Sequence, residues 1–327
     1  MIILMKIPSA TQWFLFEDHD SIELALSVME ELGIRELRTL FSWADWEREG
    51  GPAWFDRMVE SFQRKSIVLV PALFYTPIPK ARIAPGEAPK TSFPPKRLED
   101  FADFVGEMIA RYGTAFEWMQ LWNEANWDVY WNWEKDPGWK LFAEMMRGSM
   151  AIAKRRGKKV VLGGLSPYEA GWVNAMFDHG VMQEGDALGI HAFPGTWDTP
   201  AENWRRRGRP WRGLAQEVAD ARAHLRRRGS RGEIWLTETG YSTYGEGAEL
   251  KERSQGQIDY FEELLWCDAD RIFWHSIIDQ KKGTPTDNEL NAGMGNDDKA
   301  YHFGIVDEYG APKPLYPHWQ KTFTERS

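Results

Sequence analysis

The chain has 327 residues, 43% of them hydrophobic and 27% charged, enough apolar material for one large domain or two small ones. A net charge of −9 argues against nucleic acid, whose phosphates call for a basic surface, and the lone cysteine, Cys267, rules out an internal disulfide or a multi-cysteine metal site. No apolar stretch is long enough to span a membrane, and Ile2-Ile3-Leu4-Met5 is too short for a signal-peptide core. The chain therefore reads as cytoplasmic, or as exported if a signal peptide has been removed.

Short apolar runs alternate with amphipathic stretches along the whole chain. Strands are predicted at residues 2–7, 36–41, 67–74, 117–122, 160–163, 187–191, 233–238 and 271–276. The first helix is predicted over 21–32, with Ile22, Leu26 and Met29 at helical spacing and Gly33 as its stop. Seven more are predicted at 52–65, 98–112, 139–156, 168–179, 213–228, 251–267 and 314–323. Eight strands, each followed by a helix, make the pattern of an α/β (β/α)8 TIM barrel, here a single domain over residues 1–327. A doubly wound open sheet is the rival, but the glycine-rich phosphate turn that usually follows its first strand is missing.

Two predicted strands end alike. Strand four closes on Leu121-Trp122-Asn123-Glu124 and strand seven on Ile234-Trp235-Leu236-Thr237-Glu238. In this fold the C-terminal ends of the strands share one cleft, so both carboxylates are expected to face it. A facing pair of carboxylates is the minimum equipment for breaking a glycosidic bond. The 18 tryptophans point the same way, because indole stacks on the C–H face of a sugar, although a Trp-rich core accounts for the same count.

The pair Trp122-Asn123-Glu124 and Thr237-Glu238-Thr239-Gly240 resembles glycoside hydrolase clan A, in particular its β-xylosidase and family-39-like members. The stretch from Phe303 to Pro314 is similar to the segment before the last helix of such enzymes. The resemblance implies a retaining β-glycosidase acting on an oligo- or polysaccharide, with Glu124 as general acid/base and Glu238 as nucleophile. It implies carboxyl groups roughly 5–5.5 Å apart, against about 6.5–9.5 Å for inversion. It further implies that Asn123 binds the sugar 2-hydroxyl, that Arg38 supports the nucleophile and that Trp274 floors the sugar site, with His275 facing the other way. His191, closing strand six, is expected to orient a carboxylate or a sugar hydroxyl. Asn123 also fits a strand-end turn, Arg38 an exposed position, His191 a structural role and Trp274 core packing.

After strand four, Trp127 and Trp131 belong to an aromatic loop, read as stacking subsites or as a loop packed on itself. Phe74 and Tyr75 are candidate cleft wall. The arginines of 205–209 suit either an acidic saccharide or a solvated helix entry. No cofactor or metal is expected. Asp18-His19-Asp20 reads as a helix cap before it reads as a ligand set, and Asn296-Asp297-Asp298 lacks the glycine-punctuated ligand series of a calcium loop. The alternative functions are a saccharide-binding or transglycosylating barrel without net hydrolysis, and a lyase or aldolase with Lys6 as its Schiff-base lysine.

Overall fold

A computed structural model of the chain describes residues 9–182, 185–198, 211–281 and 297–324. Eight parallel strands close into a barrel in chain order: β1 (Ser9–Thr11), β2 (Glu36–Ser42), β3 (Val68–Phe74), β4 (Trp118–Leu121), β5 (Lys159–Leu165), β6 (Ala187–Ala192), β7 (Glu233–Thr239) and β8 (Arg271–His275). Strands β2 to β8 lie where the apolar runs predict them. Both faces of each strand are covered, by the barrel interior and by helices, so the strands read as near-continuous apolar segments.

The first strand is the exception. The predicted strand at 2–7 lies outside the described residues, and the segment that pairs with β2 and β8 is Ser9–Thr11. Hydropathy misses it because its hydroxyls are buried through hydrogen bonds. Thr11 Oγ1 donates to the Thr237 carbonyl at 2.9 Å and Ser9 Oγ to Glu36 at 2.7 Å.

The helices follow their amphipathic patterns. They are α1 (His19–Glu31), α2 (Trp43–Trp46), α3 (Gly51–Arg64), α4 (Glu99–Tyr112), α5 (Lys140–Arg155), α6 (Ala170–Asp178), α7 (Leu214–Arg227), α8 (Gly247–Leu264) and α9 (Leu315–Phe323). Helix α3 shows why: Pro52 sits in its first turn, and Trp54, Phe55, Met58, Val59 and Phe62 form one buried face. Asp18 caps α1 by accepting from the Ser21 backbone N–H at 3.2 Å and also pairs with Lys281, which uses up the first suspected metal ligand.

Val70, Trp118, Val161, Ala187, Trp235 and Phe273, one from each of β3 to β8, form a separate buried cluster inside the barrel. Above this apolar plug, toward the C-terminal ends of the strands, the interior turns polar. Among the described residues ten tryptophans are buried: Trp43, Trp46, Trp54, Trp118, Trp122, Trp131, Trp172, Trp235, Trp274 and Trp319. Most of the tryptophan excess therefore belongs to the core and not to a sugar-binding surface.

Candidate active site

Arg38 organises the polar end of the barrel. It points inward from β2, fully buried, and every arm of its guanidinium is engaged. Nη1 donates to Glu238 Oε1 at 2.6 Å, Nη2 to Asn123 Oδ1 at 2.7 Å and Nε to Gln120 Oε1 at 2.8 Å. The planar fork fits three fixed acceptors where an ammonium would reach one. The indole of Trp13, just beyond β1, covers the guanidinium with its centroid 4.8 Å from Cζ. Since Arg38 takes Asn123 Oδ1, the amide N–H groups of Asn123 are left to donate; they have no protein acceptor among the described residues.

The turn after β4 presents Glu124. Trp122 and Glu124 both adopt positive φ, 68° and 41°, which costs about 1–3 kcal/mol at each non-glycine position. The turn is held by Trp122 N–H donating to the Leu73 carbonyl at 2.8 Å and Glu124 N–H donating to the Gly164 carbonyl at 3.1 Å. Gly164 lies at a register shift in β5 with φ +63°; a Cβ there would stand 2.5 Å from Gln120 Nε2 and 3.0 Å from His191 Nε2. Only glycine lets these side chains approach the backbone so closely.

Strands β6, β7 and β8 complete the site. His191 Nδ1 lies 2.7 Å from Glu124 Oε1, and its Nε2 lies 3.7 Å from Glu238 Oε1. His275 Nδ1 lies 3.8 Å from the other oxygen of Glu238. One oxygen of Glu124, one of Glu238 and one nitrogen of His191 fall within 4.8 Å of one another, all in buried residues. These three could ligate a cation, but Arg38 already bonds Glu238 Oε1, so an ion there would face a buried guanidinium. Tyr130 leans over the group, its ring stacked on Tyr75 at 6.0 Å. Burial, then Tyr75, Glu124 and Glu238, hold its hydroxyl well above the usual phenol range, so it stays a neutral donor.

Burial pushes His191 down to about 3, against the pull of Glu238 and with help from Arg38 and His275; burial and then Arg38 push His275 to about 3 as well. An unfolded histidine titrates near 6.5, so below that pH the unfolded chain binds protons that the folded site refuses. The stability gained by keeping the two rings neutral is complete above 6.5 and is lost as pH falls toward about 3. At pH 5 the expected loss is about 2 kcal/mol per ring, read as a lower denaturation midpoint than at pH 7.5. An unchanged midpoint would mean that both rings bind protons in the folded protein.

The fold brings together Arg38, Asn123, Glu124, His191 and Glu238. Trp274 requires a correction: its indole faces outward, packed on Tyr260, Phe261 and Trp319, because successive strand residues point to opposite sides. His275 takes the inward position. Trp131 is corrected too. It is buried against Trp122 and Phe142 with Nε1 on Asp136, so it packs the loop and leaves the cleft to Tyr130. Trp127 remains half-buried beside Glu124, its Nε1 donating to the Ser166 carbonyl at 2.5 Å. The arginines of 205–209 lie outside the described residues. Gln120, Trp13 and Gly164 escaped the sequence reading. Only Gln120 left a signal, as a polar residue interrupting the apolar run of β4.

No protein-family model and no curated protein matches the sequence. The fold is similar to that of a family 39 glycoside hydrolase from the gut symbiont Bacteroides cellulosilyticus WH2, at TM-score 0.66 and 16% identity over 95% of this chain and 62% of that one. It is also similar to a monomeric β-xylosidase from Caulobacter crescentus CB15, at TM-score 0.64 and 17% identity over 98% of this chain and 68% of that one. A family 1 β-glucosidase from Thermotoga maritima follows at TM-score 0.60 and 12% identity, over 93% and 86% of the two chains. At such identities the likeness is one of fold, and the chain spans less than two thirds of the first of these proteins.

Proposed function

We propose that the protein is a retaining β-glycoside hydrolase of the clan A kind, cleaving an oligo- or polysaccharide with Glu238 as nucleophile and Glu124 as acid/base. The observation that carries this reading is the close approach of the two carboxylates at the C-terminal mouth of the barrel. One oxygen of each lies within 4.8 Å of one of the other's, which fits the short carboxyl spacing of about 5–5.5 Å typical of retention better than the wider gap of about 6.5–9.5 Å that inversion needs. The fold neighbours that are glycoside hydrolases, among them a β-xylosidase and a β-glucosidase, raise the prior for the same chemistry.

In the first step Glu238 attacks the anomeric carbon while Glu124 gives its proton to the departing oxygen. In the second, Glu124 takes a proton from water, the water oxygen bonds to the anomeric carbon, and the bond to Glu238 breaks. Arg38 holds Glu238 Oε1, which leaves Oε2 to attack. A neutral His191 suits both states of Glu124. It accepts from a protonated Glu124 with its own proton on Nε2, facing Glu238, and donates from Nδ1 once Glu124 is ionised. The 2-hydroxyl of the sugar would accept from the Asn123 amide.

A panel of 4-nitrophenyl β-xyloside, glucoside, galactoside, mannoside, fucoside and arabinoside tests the proposal, with NMR of the first-formed anomer. Cleavage of at least one glycoside with the β-anomer appearing first is expected. An α-anomer would end the retaining mechanism, and binding without turnover on every glycoside would leave a saccharide-binding protein.

A further inference from the structure

His275 occupies the inward position at the end of β8 that an indole was expected to fill. Its ring is held by edge-on contacts with Phe193 and Phe303, with centroids 5.7 and 5.3 Å away. The backbone beneath is fixed as well: a Cβ on Gly240 would stand 2.0 Å from the His275 carbonyl oxygen, so β7 and β8 touch there. The side chain is 3% exposed, and Nδ1 has no hydrogen-bond partner among the described residues. A buried polar atom left in this way is costly and calls for a reason.

The reason lies 3.8 Å away, at Glu238 Oε2. That distance is too long for a hydrogen bond, but it places Nδ1 beside the oxygen that Arg38 leaves free. A negative carboxylate favours the tautomer with the proton on Nδ1, so the neutral ring holds a buried N–H donor beside Glu238 Oε2. When Oε2 reaches the anomeric carbon from the face opposite the departing oxygen, the nearest remaining substrate oxygens are the ring oxygen, bonded to that carbon, and the hydroxyl on C2, one bond further away. The ring oxygen becomes positive in the transition state and gains nothing from a donor. The 2-hydroxyl can accept from Nδ1 while also accepting from Asn123 and donating to Glu238.

We propose that His275 is a specificity-determining residue, whose Nδ1–H reads the hydroxyl next to the anomeric carbon of the sugar held against Glu238. This rests on the glycosidase reading and deepens it: the cleft selects 2-hydroxy sugars through an imidazole donor where an indole would read only the ring face.

The test measures kcat/KM for the 4-nitrophenyl β-glycoside cleaved fastest in the panel and for its 2-deoxy counterpart. Wild type is compared with His275→Phe, His275→Asn and His275→Gln. The intrinsic reactivity of each substrate cancels within this cycle, as does the contribution of Asn123. The penalty for removing the hydroxyl should shrink about tenfold in His275→Phe, the size of one hydrogen bond. The asparagine amide nitrogen superposes on Nδ1 and should restore most of the penalty, whereas glutamine superposes on Nε2 and should behave like phenylalanine. Equal penalties in wild type and His275→Phe would overturn the proposal, as would rescue by Gln in place of Asn. A structural role predicts no such difference, and should His275→Phe fail to fold, the Asn and Gln pair carries the comparison. If wild type cleaves no glycoside at all, the glycosidase reading falls first.

Discussion

Glu238→Ala should keep the barrel fold at a cost in stability, since it leaves the buried Arg38 without its carboxylate, and lose at least about 10⁴-fold in kcat on every glycoside the wild type cleaves, because no other group can form the covalent intermediate. Glu124→Ala should differ in kind. A general acid contributes about 10²–10⁴-fold, but only where the leaving oxygen needs its proton. With a 2,4-dinitrophenyl glycoside the first step should therefore be nearly unimpaired, and breakdown of the intermediate should become limiting, giving a burst of dinitrophenol. With an alkyl or sugar leaving group the loss should be full. A burst from Glu238→Ala in place of Glu124→Ala would show that the two roles are reversed, and full activity in either variant would remove that carboxylate from the mechanism.

Replacing Arg38 should have the largest effect on stability. In Arg38→Met the buried carboxylate of Glu238 loses its ion pair, and Asn123 Oδ1 and Gln120 Oε1 lose their donor. Breaking a buried pair by removing one partner costs about 3–5 kcal/mol. In a chain of this size that corresponds to a fall in Tm on the order of 10 °C, measurable by calorimetry. Arg38→Lys keeps the charge but reaches only one of three acceptors, so Asn123 and Glu238 cannot both stay in place. It should retain more stability than Arg38→Met, yet lose about 10²-fold in kcat/KM through misplacement alone. A Tm unchanged in Arg38→Met would mean that water reaches Glu238 freely and that the guanidinium is not its buried partner.

Much of this protein is legible in its sequence, for physical reasons that differ by element. Helix α3 announces itself through Pro52 and a single apolar face, and β7 through the run Ile234, Trp235, Leu236, since each must cover a surface of its own. Glu124 and Glu238 stand out because a carboxylate at the end of an apolar strand has no packing purpose. Strand β1 is silent because its buried hydroxyls are satisfied only by residues far away in the chain, such as Thr237.

The sequence by itself determined the alternation of strand and helix, and hence the barrel and the end of it at which its two glutamates emerge. Hydropathy period and chain order suffice for that, because each element must bury its own apolar face. Only the tertiary structure decided which of the adjacent residues Trp274 and His275 faces the cleft, which of Tyr130 and Trp131 does, and that Gln120, Trp13 and Gly164 belong to the site at all. These outcomes depend on register shifts in β5 and β7, on positive-φ turns and on approach distances of a few ångströms between residues remote in the chain. A one-residue slip along a strand exchanges its inward and outward faces without changing its composition, so no reading of composition or period can fix it.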